Sequence, residues 1–356
     1  MSIDFATIHD MIVTARRNTT QDNWDFICGG AESETSLRRN RQALDCLAFR
    51  PRVLRDVRVI DSSTFFRGQK LRIPVMLAPL GGLERFTPNG GNDVDTAAEA
   101  FGTINFVSSA TQPSLEEIAA NSPHPKVFQI YVRGDDDWIR GLVRRVVKAG
   151  YWGVMLTVDT VFLGNRERHS PAQRALRFSE PCEFQKGLTW DTVKLIQDEI
   201  GDLPFMLKGI MTAEDAALAV EHGVDVIYTS NHGGRQLDHV LGNIDVLPEI
   251  VAAVGDKADV IVDGGFSRGT DVIKAIALGA KAVGIGRLQA WALAASGAGG
   301  LIKCLELLEQ EIQTTMGLIG VTSLDQINGS YVTKAMPVRL PHEMSAFPHL
   351  PGDRIV

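Results

Sequence analysis

Cysteine is scarce in this chain. Four occur in 356 residues, at positions 28, 46, 182 and 304, with no Cys-x-x-Cys pair among them. That pattern suggests neither a disulfide framework nor a zinc knuckle, and it points to a reduced, cytoplasmic protein. A surplus of basic residues is lacking too: Lys+Arg number 36 against 43 Asp+Glu, a net charge of −7. General nucleic-acid binding needs the opposite footprint. No uninterrupted apolar run reaches the ~20 residues that cross a bilayer. The opening MSIDFATIHDM has neither the basic start nor the apolar centre of a signal peptide. No His-Glu-x-x-His zinc motif is present, and no Gly-x-Gly-x-x-Gly follows the first predicted strand. His342-Glu343 lacks a second histidine and reads as solvated surface, so no metal is expected.

What is present is a rhythm. From residue 73 onward, short apolar and β-branched runs recur, each followed by a helical stretch. The runs lie at 75–78, 104–108, 127–132, 153–158, 205–208, 226–230, 260–263 and 282–286, which predicts eight strands. Helical spacing fills 93–101, 114–121, 137–149, 190–200, 212–222, 246–254 and 270–278. Thr212 and Thr270 look like capping hydroxyls followed by acidic first turns. Gly223 and Gly279 sit where helices end. Eight β-then-α units predict an α/β protein, a closed (β/α)8 TIM barrel over 73–338. The strands lack strict alternation, as expected where helices cover the outside. An open doubly wound sheet is the alternative. Residues 1–72 read as a helical segment packed on the barrel, with a helix over 33–47 and a strand pair over 61–71. The insert at 165–188 would overlie the top face as a lid. The tail, 339–356, has no periodicity and is expected to be extended.

Polar residues at the strand ends carry the chemistry. Gln129 and Tyr131 are two apart and share a face, as do Thr157 and Asp159. Lys208 ends strand five. The run from Ser230 through His232 and Arg235 to Asp238 follows strand six. Asp263-Gly264-Gly265 follows strand seven, and Gly286-Arg287 follows strand eight. In a barrel these ends converge on one face, where active sites are built. The glycines near strands seven and eight suit a phosphate, with Arg287 as its charge; the alternative is that they only make tight turns. Tyr131, Asp159, Lys208, His232 and Arg235 suit proton or electron transfer: a His that takes a proton near neutrality, an Asp that orients it, an Arg for a carboxylate.

The nonapeptide Ser230-Asn231-His232-Gly233-Gly234-Arg235-Gln236-Leu237-Asp238 closely resembles the signature of the FMN-dependent 2-hydroxy acid oxidases and dehydrogenases. The likeness extends to Gly30-Ala31-Glu32, Leu77-Ala78-Pro79, Phe128-Gln129-Ile130-Tyr131, Leu156-Thr157-Val158-Asp159, Leu163-Gly164-Asn165-Arg166-Glu167, Leu207-Lys208-Gly209, Asp263-Gly264-Gly265 and Ile285-Gly286-Arg287. The resemblance implies a TIM barrel and FMN contacts from Pro79, Leu80, Gly81, Ser108, Gln129, Thr157, Lys208 and Ser230. It places the FMN phosphate against Asp263, Gly264, Gly265, Gly286 and Arg287. It makes His232 the base, paired with Asp159, and gives the substrate carboxylate to Arg235, Arg166 and Tyr131. Lys208 would face the flavin edge that becomes negative on reduction.

The chain also departs from the family's pattern. Phe26 stands where the family has a carboxylate-binding Tyr, and Ala110 where several oxidases carry a Trp. Ser267 stands at a second arginine position of the phosphate site, with Arg268 beside it as a replacement. The implied reaction is oxidation of an L-2-hydroxy acid larger than glycolate. It proceeds by hydride transfer to flavin N5 or by an α-carbanion route. Oxygen, a quinone or another acceptor would reoxidise the flavin, and a homotetramer or octamer is expected. The alternatives are altered chemistry on a tailored metabolite, or a barrel that binds FMN without catalysis.

Overall fold

Eight short runs of three to six largely buried residues cannot hide their backbone polar groups unless they pair on both sides, and they do so by closing on themselves. The computed structural model describes residues 5–171, 174, 183–337, 344, 346 and 347. Its first part holds helices α1 (Ile8–Asn18), α2 (Gln21–Cys28) and α3 (Thr35–Asp45), strand β1 (Leu47–Phe49) and the hairpin β2 (Thr64–Phe66) and β3 (Gln69–Leu71). The barrel strands are β4 (Val75–Leu77), β5 (Asn105–Ser108), β6 (Lys126–Ile130), β7 (Gly153–Thr157), β8 (Phe205–Ile210), β9 (Val226–Thr229), β10 (Asp259–Val262) and β11 (Ala282–Ile285). Each pairs in parallel with the next, and β11 closes on β4 with Val283 opposite Val75 and Ile285 opposite Leu77. All eight strands therefore stand where the rhythm put them, and the open sheet is excluded.

The interior is filled from several strands, by Met76, Phe106, Met155, Met206, Tyr228 and Ile261, with Phe66 and Leu71 of the hairpin packed into the same cluster. The hairpin thus plugs one end with apolar side chains, as the packed core of a barrel requires. Polar side chains gather at the other end.

The helices are α4 (Gly91–Phe101), α5 (Leu115–Asn121), α6 (Asp136–Lys148), α7 (Trp190–Ile200), α8 (Ala213–Glu221), α9 (Asn243–Val254), α10 (Gly269–Ala277) and α11 (Arg287–Ile319). Thr212 caps α8, accepting from the Asp215 N–H. Thr270 does not cap α10. That helix starts one residue earlier, and the Asp271 carboxylate accepts from the Ser267 and Arg268 N–H groups instead. Gly223 and Gly279 do follow helix ends, at φ 72° and 101°.

Two expectations need correction. Besides the expected strand pair, the segment 1–72 holds β1, which pairs antiparallel with β12 (Val332–Lys334) and ties this segment to the chain that follows α11. The rhythm also stopped before α11. This helix is long and apolar enough to cross a membrane by length and composition, although no unbroken apolar run marks it. Most of it is buried against α1, α4 and α10, and Ser296 and Gly297 break its helical backbone. Residues 172, 173 and 175–182 of the expected lid, and all of the expected tail but 344, 346 and 347, lie outside the described residues. Within the lid, Gln185 is buried and holds the Val132 N–H at 3.0 Å; within the tail, Phe347 is fully buried.

Candidate active site

The loop after β9 aims its functional groups by an unusual backbone. His232, Gly233 and Gly234 follow one another at φ 58°, 65° and 74°. A left-handed histidine is uncommon and marks a position held for a purpose. At Gly234 a Cβ would meet the Leu37 N at 2.5 Å, so only glycine lets this loop lie against α3. The loop is locked further by Asp238, which accepts from the Ser36 N–H at 2.7 Å, the Thr35 N–H at 3.2 Å and the Ser33 hydroxyl at 2.8 Å. The two N–H groups are open donors at the start of α3, whose N-cap residue Glu34 makes no side-chain cap.

His232 Nδ1 lies 3.0 and 3.2 Å from the two Asp159 carboxylate oxygens, and Nε2 lies 3.4 Å from the Tyr131 hydroxyl. Ser230 Oγ accepts from the His232 N–H at 3.0 Å and from Lys208 Nζ at 2.8 Å. Lys208 also stands 3.4 Å from Asp263. Burial pulls Lys208 down, but Asp263 and Asp159 overcome it and hold its pKa above the ordinary value. Burial pushes Asp159 up, and the charge and hydrogen bond of His232 outweigh that and leave it low. Burial, helped by Lys208 and Arg166, holds His232 below its ordinary value against the pull of Asp159. The imidazole is therefore neutral near pH 7, with its proton on the Asp159 side.

Arginines crowd the same place. Burial, with Arg287 adding to it, draws Arg166 to about 10, and burial with Arg166 and Arg287 draws Arg235 well below its usual value. A guanidinium does not give up its proton in a protein. The depression instead registers a place that wants an anion. Arg235 Nη1 donates to the Phe26 carbonyl at 2.6 Å and the Gly29 carbonyl at 3.0 Å. Arg287 donates to the carbonyls of Ile27, Gly29 and Gly233, each at 2.9 Å. Both arginines thus meet the C-terminal end of α2, where unpaired carbonyls and the helix dipole attract cations.

These groups surround a cavity of about 530 Å³. Pro79, Leu80, Gly81, Phe26, Ala110, Tyr131, Arg166, Lys208, His232, Arg235, Asp263, Gly264, Gly265, Gly286 and Arg287 line it. Ser108, Gln129, Thr157, Ser230 and Asp159 stand just behind, at the strand ends. Arg268 does not reach it. Its guanidinium pairs with Glu311 at 2.9 Å and lies over the Phe347 ring, so it cannot replace the missing phosphate arginine. Ser267 does line the cavity. It sits in a Gly-x-Ser-x-Gly string, residues 265–269, but its hydroxyl meets the Gly265 carbonyl at 3.4 Å and no histidine among the described residues, so it is no activated nucleophile.

The residues present fit FMN. Gln129 Nε2 and Thr157 Oγ1 are buried with no partner, on neighbouring strands. Buried donors without acceptors are rare unless a ligand supplies them, and the carbonyl-bearing edge of a flavin is such a ligand. At Gly286 an added Cβ would find only Leu80, at 3.9 Å, so the space in front of it is open to a phosphate.

Several groups at the site had no role assigned from the sequence. Gln236 donates to the Asp159 carbonyl at 2.9 Å and accepts from Arg166 at 3.0 Å, bridging two loops. His169 stacks on Phe26 at 5.4 Å, and burial with Arg235 and Arg166 holds it at about 4. Arg85 and Arg133 stand in the cavity wall. Gln236 belongs to the signature string, but its partners Asp159 and Arg166, like His169, Arg85 and Arg133, come from other loops, and these residues meet only in the fold.

A profile of the FMN-dependent dehydrogenase family matches residues 15–183 and 172–334. The chain is 38% identical over 348 residues to L-lactate oxidase of Nostoc sp., covering 89% of this chain and 95% of that one. It is 38% identical over 355 residues to glycolate oxidase of Spinacia oleracea, covering 93% and 96%. The crystal structure of mandelate oxidase superposes with a TM-score of 0.85 at 36% identity, covering 94% of this chain and all of that one.

Proposed function

Because the chain belongs to the family of FMN-dependent 2-hydroxy acid oxidases and dehydrogenases, we propose that it oxidises an L-2-hydroxy acid larger than glycolate to the 2-oxo acid, with His232 as the base. The observation that carries this reading is the His232–Asp159 pair: Nδ1 is held by the carboxylate and Nε2 is left toward the cavity beside Tyr131. FMN, when bound, supplies a two-electron acceptor. Gln129, Thr157, Lys208 and Ser230 would hold its ring, and Gly264, Gly265, Gly286 and Arg287 its phosphate.

The chain's own residues do the rest. Arg235 and Arg166 hold the substrate carboxylate; Arg235 is pre-set by the Phe26 and Gly29 carbonyls, so little is lost in ordering it. Tyr131 lines the cavity with its hydroxyl 3.4 Å from His232 Nε2; burial raises its pKa, so it stays protonated and would donate to the substrate. His232 Nε2 takes the hydroxyl proton as the carbonyl forms, and Asp159 balances the imidazolium that results. Ala110 packs closely on Gly81 in the cavity wall, and its methyl group would take less of the cavity than the indole several oxidases carry there. Oxygen is the acceptor favoured by the relatives, which are named oxidases.

Anaerobic titration of the yellow holoenzyme with glycolate, lactate, mandelate and 2-hydroxyglutarate tests the reading. Bleaching by the larger acids, with glycolate weakest, is expected. No bleaching by any 2-hydroxy acid overturns it.

A further inference from the structure

The cavity wall is strongly cationic although the chain as a whole carries −7. Most of those cations already have a task. Arg41 is held by Asp271, with both nitrogens at 2.8 Å, and by Asp45, and Lys208 is answered by Asp263. Arg166 and Arg235 are assigned above to one carboxylate, and Arg287 to the phosphate end. Arg85 and Arg133 remain. Both are exposed, and neither has an ion pair among the described residues, even with Glu84 in the same wall. The Arg85 guanidinium has one long hydrogen bond, 3.5 Å to Asn23 Oδ1.

Phe26 links this outer charge to the inner one. The Arg235 guanidinium lies 5.2 Å from the centre of its ring and the Arg85 guanidinium 4.8 Å. The two cations therefore stand no farther apart than those two distances combined, and both contact the same apolar ring. Cation–π contact holds each in place without a hydroxyl. This is the geometry of a site for two anionic groups joined by a short apolar stretch.

We propose that the substrate is a 2-hydroxy dicarboxylate: its first carboxylate is received by Arg235 and Arg166, and its second by Arg85 and Arg133. This rests on the reading of the site as a 2-hydroxy acid oxidase. Simple steering of anions by a positive mouth is the competing explanation, and it would favour every anionic substrate alike.

The test compares kcat/KM for 2-hydroxyglutarate and 2-hydroxyvalerate, which share chain length and differ in the distal carboxylate, using holoenzyme. The wild type should prefer the diacid. In Arg85→Gln and Arg133→Gln the diacid-to-monoacid ratio should fall ~10-fold or more, mainly through KM, the worth of a hydrogen bond to a charged group. Arg133→Lys should keep most of the preference. A wild type that prefers 2-hydroxyvalerate, or variants in which both substrates fall together, overturns the proposal. If monoacids alone bleach the flavin, the dicarboxylate inference fails and the oxidase reading stands; if no 2-hydroxy acid does, both fail.

Discussion

Asp159→Asn is the sharpest probe of the proposed base. The amide keeps the size and one oxygen but removes the charge that faces His232 Nδ1 at 3.0 and 3.2 Å. The other neighbours, Lys208 and Arg166, are cations that oppose an imidazolium, so Asp159 stands alone in favouring it. A hydrogen bond to a charged group is worth ~1.5–3 kcal/mol. At about 1.4 kcal/mol per decade, the plateau of kcat/KM should fall roughly 10- to 150-fold. The pH profile adds a second reading. The base must be neutral to accept a proton, so activity is lost as pH falls through the pKa of His232 in the free enzyme. That pKa already lies below its ordinary value. Removing the one group that raises it moves the acid limb to still lower pH. The assay is steady-state kcat/KM from pH 4 to 9 with whichever acid bleaches the holoenzyme best. A lower plateau with an unmoved limb would mean that Asp159 only shapes the loop, and neither change would refute the pairing.

His232→Ala should keep its flavin but reduce it ~10²–10⁴-fold more slowly in stopped flow, the usual contribution of a general base; an unchanged rate would remove His232 from the mechanism. Asp238→Ala should cost about 1–2 kcal/mol in urea unfolding, because it strips the cap from α3. Burial pushes the Asp238 carboxyl up, but hydrogen bonds from Ser36, Ser33, His239 and Thr35 prevail and hold it at about 2. Its stabilisation is thus present above the ordinary carboxylate range and lost as pH falls toward 2, so the difference from wild type should narrow over that window. Ser267→Arg should tighten FMN ~10-fold in a fluorescence titration by adding a guanidinium at the phosphate end; an unchanged Kd would show that Ser267 does not face the phosphate.

The sequence by itself determined the barrel and the row of groups along its rim. A strand covered by helices must be apolar on both faces, so the eight runs announce themselves, and the change to polar residues marks where each leaves the core. Gln129, Thr157, Lys208, Ser230 and Asp263 were legible for that reason. So was His232, from a string of residues that lie next to one another in the chain. Tertiary structure alone decided how the first part of the chain closes over that rim. Arg235 and Arg287 grip carbonyls between 206 and 260 residues away, at Phe26, Ile27 and Gly29. Asp238 caps a helix at Ser36. Arg268, three residues after the phosphate glycines, turns instead to Glu311 on α11, a helix the rhythm did not announce. Local periodicity reports which side of a segment is buried, because burial depends on the segment's own pattern. It carries no information about which charge a side chain meets, because an ion pair or a cap depends on a second segment whose position only the packed chain sets.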